Sequence, residues 1–405
     1  MPTIALLGTL DTKGRELAYI AGRIRRSGAA TLLIDVGCLD APVVAPDITR
    51  SEILADEPDA PAILARKDRG ESVALMSRAA ARFVAKLTGE SRIDGILSLG
   101  GGGGTAIATA AMRALPLGFP KVMVSTLASG NTAPYIGNTD IVMIPAIVDV
   151  AGINRISRVI FENAAGAIVG MVQAARARRE HPPSDKPIIA ASMFGNTTAC
   201  VNEARRILEE NGYEVLVFHA TGTGGRAMES LIASGMVAGV LDITTTEWAD
   251  ELVGGILSAG PERLDGAAKA GVPAIVVPGC LDMVNFGERA EVPAKFAGRR
   301  FYQHTPHVTL MRTTAEEARE LGEVLARKIN AYTAPVTVLL PRGGISIISA
   351  PGQPFYDPAA DDALFTAIRK HLRTDIAVQE SPLAINDPAF ARACADELLR
   401  HLGKV

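Results

Sequence analysis

Aromatic residues make up only 4% of this 405-residue chain, and Trp248 is the one tryptophan. A β-sandwich with an aromatic-rich core is therefore excluded as the first expectation. With 48% apolar residues, the cores must rest on Ala, Val, Ile and Leu, a composition that suits parallel sheets covered by helices. One-sided charge is also missing. The formal net charge is −3, with acids and bases interspersed, so the basic field that nucleic-acid binding needs is absent. Long apolar runs are lacking too. The longest, Ile141 to Ile153, is broken by Pro145 and Asp149 and is too short to span a bilayer. No basic region or cleavage site follows Met1, which argues against a secretion signal and for a cytoplasmic protein. Cysteine is scarce: Cys38, Cys200, Cys280 and Cys394 lie far apart in no metal-ligand spacing, and free thiols are expected.

What is present is a cadence of short β-branched runs alternating with amphipathic stretches. Ile4–Leu7, Thr31–Val36, Ile93–Leu99, Lys121–Ser125 and Ile141–Ile144 read as strands. Glu16–Ser27, Ser72–Leu87 and Arg155–Arg178 read as helices, the last with a stripe that includes Ile156, Val159, Ala164 and Ile168. Charge followed by three prolines at 176–187 marks a linker. It divides the chain into an N-terminal subdomain, 1–180, and a C-terminal one, 187–405. After the linker the first half begins again. From Ile4 to Leu32 the interval is 28 residues, and from Ile188 to Leu216 it is again 28. The expected architecture is α/β, with two Rossmann-like, doubly wound parallel-sheet subdomains related by an internal duplication. Any two parallel α/β domains share such a cadence, which is the alternative to duplication.

The sharpest local signal is a strand running into five glycines, 100–104, followed by Thr105 and an alanine-rich helix. Glycine permits positive φ and lets backbone amides approach a ligand. A helix N-terminus offers unpaired N–H donors and partial positive charge, which suits a phosphate. Gly101, Gly102, Gly103 and Gly104 are the expected cradle, with Thr105 as a hydroxyl donor or a ligand to phosphate-borne Mg²⁺. No lysine follows as in a Walker A loop, and no acidic residue follows as in a dinucleotide fingerprint. A first loop, Gly8 to Gly14, brings Thr9, Thr12 and Lys13, with Asp11 as metal or ribose acceptor; for Asp11 or Thr12 alone, helix capping is the better reading. A third loop offers Ser129, Gly130 and Thr132.

The second half carries polar clusters at its expected strand ends: His219, Arg226, Asp242, Glu247 and Asp282 form a candidate catalytic set. A hydrogen-bonded interface histidine is at least as good a reading of His219. His304 and His307 have metal-like spacing, but Pro306 and the lack of an adjacent partner argue against a metal site.

Long motifs then point to a family. Gly8-Thr-x-Asp-Thr-Lys13, Arg69-Gly70, Gly100-Gly-x-Gly-Gly-Thr105 and Val148-Asp-x-x-Gly-Ile-Asn154 are carried by the first half. Phe218-His-Ala-Thr-Gly222, Leu241-Asp-Ile-Thr-Thr-Thr-Glu247 and Leu281-Asp-Met-Val-Asn-Phe-Gly287 are carried by the second. The chain resembles, end to end, the ATP-binding region of the tomato mosaic virus resistance protein family and its bacterial relatives. The resemblance implies two Rossmann-like subdomains, ATP with Mg²⁺ in the first, and a homodimer. In the plant protein a TIM-barrel-like region follows; here such a barrel is expected as a separate partner protein. Three readings stay open: an ATP-binding protein, an ATP-dependent enzyme acting on a small carboxylate or hydroxy substrate at a cleft between subdomains, and a nucleotide-gated protein-binding module.

Overall fold

The computed structural model describes residues 1–180 and 185–404. The chain divides into two compact units, Met1–Ser184 and Asp185–Val405. The proline stretch of the expected linker, 181–184, lies outside the described residues.

Unit 1 is built on five strands: β1 (Thr3–Gly8), β2 (Ala30–Asp35), β3 (Gly95–Gly100), β4 (Lys121–Ser125) and β5 (Val142–Pro145). All pair in parallel, in the order β2-β1-β3-β4-β5. Side-chain alternation along β1 explains why helices cover both faces. Ile4 and Leu6 point into one apolar cluster with Leu17, Ile20 and Ile24 of the helix Leu10–Arg26. Ala5 and Leu7 point into the other, with Leu75, Met76 and Ala79 of the helix Arg69–Gly89. Asp68 starts that second helix by accepting from Glu71 N at 2.8 Å.

The chain leaves β1 toward β2 on one side and returns to β3 on the other. Between β1 and β3 the winding direction reverses, which opens a crevice beyond the carboxyl ends of the strands. The helices that follow β1 and β3 both begin there.

Two boundaries differ from the sequence reading in a way that matters for the site. The first helix begins at Leu10, so Thr-Leu-Asp-Thr-Lys is helical first turn rather than loop. Gly102–Gly104 likewise open the helix Gly102–Arg113. In the long helix Arg155–Glu180, the buried stripe runs through Phe161, Ala164, Ala165, Ile168, Val169 and Val172. Ile156 and Val159 fall off it, 48% and 55% exposed.

Unit 2 contains β6 (Ile188–Met193), β7 (Glu214–His219), β8 (Val237–Thr244), β9 (Ala274–Gly279), β10 (Met283–Phe286), β11 (Phe301–Thr305), β12 (Val308–Arg312), β13 (Val336–Pro341) and β14 (Ala377–Ser381). Its main sheet runs β14-β13-β9-β8-β6-β7, and β10-β12-β11 form a small antiparallel sheet. If that insert is set aside, β7-β6-β8-β9-β13 repeats the order β2-β1-β3-β4-β5. Both units are doubly wound parallel sheets with the same winding.

Candidate functional site

A cavity of about 360 Å³ lies at the switch point of unit 1. One wall is the first turn of the helix after β1, with Thr9, Asp11, Thr12 and Lys13; the other is the first turn of the helix after β3, Gly101 to Gly104. Arg69, Cys38, Leu39, Val73, Ile107 and Asp149 complete it.

Both helix starts lack a side-chain cap, but they differ in what is left open: after β1, Leu10 N already donates to Asp35 Oδ1 at 3.1 Å, whereas after β3 the glycine amides have no acceptor among the described residues. Gly101 and Thr9 cap their helices without any side-chain hydrogen bond. The first intrahelical bond of the glycine helix is Thr105 N to Gly101 O, 2.8 Å. The amides of Gly102, Gly103 and Gly104 precede it, and in a helix such donors need acceptors from outside. Positive φ does not explain the glycines, because none of residues 100–104 has it. Packing explains only Gly100, whose Cβ would lie 3.1 Å from Gly104 Cα; a Cβ on Gly102 would meet nothing within 4 Å, and one on Gly103 would touch Arg69 and Val73 at an ordinary 3.6 Å. What bare glycine leaves here is room in front of the amides.

Lys13 and Arg69 supply positive charge, and no carboxylate pairs with either among the described residues. Asp11 is held by its neighbours' backbone: Leu39 N and Asp40 N donate to Oδ2 at 3.1 and 3.3 Å. Its Oδ1 is buried with no hydrogen-bond partner. Gly37 packs so close that a Cβ there would lie 2.8 Å from the Asp11 carboxyl carbon. An orphaned buried carboxylate oxygen on a cavity wall is where a cation or a ligand hydroxyl fits. Burial, helped by Asp11, pushes the Cys38 thiol up to about 11, so it lines the wall as a neutral group.

Not every expected residue reaches the cavity. Thr105 turns inward, fully buried, with its hydroxyl 2.7 Å from Ser125 Oγ and donating to Gly100 O at 3.4 Å. It ties the glycine helix to β4 and has no free face for a ligand. Gly8 is buried behind the wall against Leu17. Ser129 and Gly130 are exposed and Thr132 is half-buried, all outside the cavity lining. Arg69 was legible only as part of a motif, since a charged residue at a helix start carries no periodic signal. Asp149 was visible as a break in the longest apolar run and within the Val148–Asn154 motif, but neither pattern marks it as a cavity residue.

Unit 2 closes one of its helix starts from within. The helix Thr223–Ala233 follows β7, and its amino end is filled from within: Gly222 N and Gly225 N donate to Glu247 Oε1 at 2.7 and 3.1 Å. A Cβ on Gly225 would lie 2.2 Å from that carboxylate. Glu247 is held in turn by Arg263, which is 1% exposed. The guanidinium makes a bidentate pair with Asp242, both contacts 2.6 Å, and reaches Glu229 at 3.0 Å. Burial alone would weaken its charge, but the three carboxylates outweigh that and hold it far above the usual range.

This network reassigns two of the expected catalytic residues. Asp242 and Glu247 are committed to a buried arginine and to backbone amides, a structural duty. Asp282 is fully buried, accepts from Ser346 Oγ at 2.8 Å, and has its carboxyl raised chiefly by burial. His219 stacks on Phe194 with centroids 5.4 Å apart, and Arg226 donates to Ser258 O at 2.9 Å; both are exposed. The five form no single site. The signal that was missed is Arg263, which sits in an aperiodic Pro-Glu-Arg-Leu-Asp segment that reads as loop. Among the described residues no cluster of three or more His, Cys, Asp or Glu has metal-holding geometry. No helix among them is long and apolar enough to cross a membrane.

Comparison with known proteins follows the same division of the chain. The profile of the N-terminal domain of an uncharacterised protein family, UPF0261, matches residues 2–177, and that of its C-terminal domain matches 186–402. A UPF0261 protein of Clostridium tetani is 48% identical over 403 residues, covering 99% of both chains. The ToMV resistance protein Tm-1(GCR237) of Solanum lycopersicum is 38% identical over 421 residues, which span 98% of this chain and 55% of the plant protein. Among solved structures, a UDP-N-acetylglucosamine 2-epimerase from Rickettsia bellii matches with a TM-score of 0.23 and 13% identity, over 68% of this chain and 78% of that one.

Proposed function

The chain belongs to the UPF0261 family, and from that premise we propose that unit 1 binds a nucleoside polyphosphate, ATP with Mg²⁺ being the specific form. The observation that carries this reading is the convergence of two helix starts, one of them bare glycine, on a single cavity that also holds two unpaired cations. Partial positive charge from the glycine helix end and full charge from Lys13 and Arg69 act on the same small volume. A polyphosphate is the anion whose charge density matches. The apolar patch of Leu39, Val73 and Ile107 suits a base. The resemblance read from the motifs names ATP, and the relatives to which that resemblance refers are the ones the chain matches.

Asp11 and Asp149, both lining the cavity, are the residues that would hold Mg²⁺. The ion would neutralise the phosphates and so relieve the two carboxylates of their repulsion for the ligand. The nucleotide is assigned to unit 1, where this cavity lies.

Titration calorimetry tests this reading with ATP and AMP in the presence of Mg²⁺. ATP is expected to bind and AMP to bind far more weakly, because the helix ends and cations recognise the β- and γ-phosphates. Equal affinity for the two, or none for ATP, contradicts it.

A further inference from the structure

The loop between β5 and the helix Arg155–Glu180 carries a backbone outlier beside the cavity. Val148 N donates to Ala146 O at 2.7 Å, and Ile147 between them has φ 64°. This is a γ-turn with positive central φ, the rare and strained form. For a β-branched residue such a φ is a genuine outlier. The side chain gains no packing in exchange, since Ile147 is 76% exposed. Two residues later Asp149 lines the cavity.

The loop is fastened at both ends. Ala146 N donates to Ser125 O at 3.0 Å, and Gly152 N donates to Glu16 Oε1 at 2.6 Å. Glu16 is on the helix whose first turn forms the cavity wall. Leu39, 61% exposed, reaches the same cavity from beyond β2. Since β2 and β5 are the two edges of the sheet, Leu39 and Ile147 follow from opposite edges; Leu39 lines the cavity, and Ile147 lies outside the lining, two residues before Asp149.

Strain and exposure at one residue are both unfavourable in the empty protein, and strained positions collect at ligand clamps. A ligand with an apolar face removes both terms at once. We propose that Ile147 is a nucleoside-contacting residue: when the cavity fills, the 146–152 segment relaxes out of its γ-turn and lays Ile147 over the base, opposite Leu39. This rests on reading the cavity as a nucleotide site. An inorganic polyphosphate has no apolar face and draws nothing from Ile147.

The test is calorimetry with ATP and with inorganic tripolyphosphate, each with Mg²⁺, on wild type, Ile147→Ala and Ile147→Gly. Loss of the buried aliphatic contact weakens ATP by about tenfold or more in Ile147→Ala. Tripolyphosphate affinity stays within about twofold in both variants, the result expected if only the base is touched. In Ile147→Gly the ligand-free protein melts no lower than wild type, because glycine accepts φ 64° without strain, while ATP is weakened at least as much as in Ile147→Ala. ATP affinity unchanged in Ile147→Ala, or an equal loss for both ligands, overturns the role of Ile147 and leaves the nucleotide reading intact. A wild type that binds neither ligand removes the nucleotide reading, and this proposal with it.

Discussion

Replacing Gly103 by valine separates the fold from the ligand. The backbone there is not left-handed, and the new Cβ would sit 3.6 Å from Arg69 and Val73, an ordinary contact. Valine is a better helix residue than glycine by a few tenths of a kcal/mol. Stability is therefore expected to hold or rise slightly, within about 0.5 kcal/mol. The ligand fares otherwise. The added methyl groups project among Arg69 and Val73, both cavity walls, in front of the helix amides. A hydrogen bond to a charged group contributes about 1.5–3 kcal/mol. Denying the phosphates two such amides thus removes about 3–6 kcal/mol, a loss of at least about a hundredfold in affinity. Thermal melting measures the first quantity and ATP titration the second. A variant that melts like wild type and binds ATP within threefold of it would refute the phosphate cradle, since steric entry and amide access are both blocked at that position.

Three further outcomes are expected. Asp11→Asn keeps the shape of the side chain but removes its charge; ATP binding should lose most of its dependence on Mg²⁺, checked by titration with and without the ion, and an undiminished dependence assigns the ion elsewhere. Glu247→Ala leaves Gly222 and Gly225 amides unpaired and strips one carboxylate from the buried Arg263; breaking such a network costs about 3–5 kcal/mol, visible as a large fall in denaturation midpoint, whereas an unperturbed midpoint contradicts the structural role. Glu397, bonded by Arg400 and also by Thr337, has its carboxyl held down to about 2, below the 4.5 of the free group; its contribution is present above about pH 4.5 and lost as pH falls toward 2, so acid unfolding should be shallower in Glu397→Gln, and identical acid limbs count against it.

The sheet of unit 1 was legible because its strands are short β-branched runs bounded by turn residues, and the repeat after the linker was legible as spacing. The helix starts were not. Thr9 to Lys13 and Gly101 to Gly104 face a cavity instead of a core, so the apolar periodicity that announces a helix begins only a turn later. The same polarity that hides the helix boundary marks the cavity wall, which is why these residues stood out in the sequence while their conformation was misjudged. Positive φ, which glycine permits, is absent from residues 100–104; open space in front of amides is a feature no local sequence pattern distinguishes from a turn. In unit 2 the dense polar motifs were visible, but their meaning hung on Arg263, a buried charge whose partners come from three separate elements. Long-range pairing of that kind leaves no spacing to read.

Crystals grown with Mg²⁺ and a non-hydrolysable ATP analogue give the most direct answer. The expected density places phosphate oxygens about 2.7–3.2 Å from the amides of Gly102, Gly103 and Gly104, with Lys13 and Arg69 turned toward them. Phosphates bound in unit 2, or a unit 1 cavity filled only by water at saturating analogue, would contradict it.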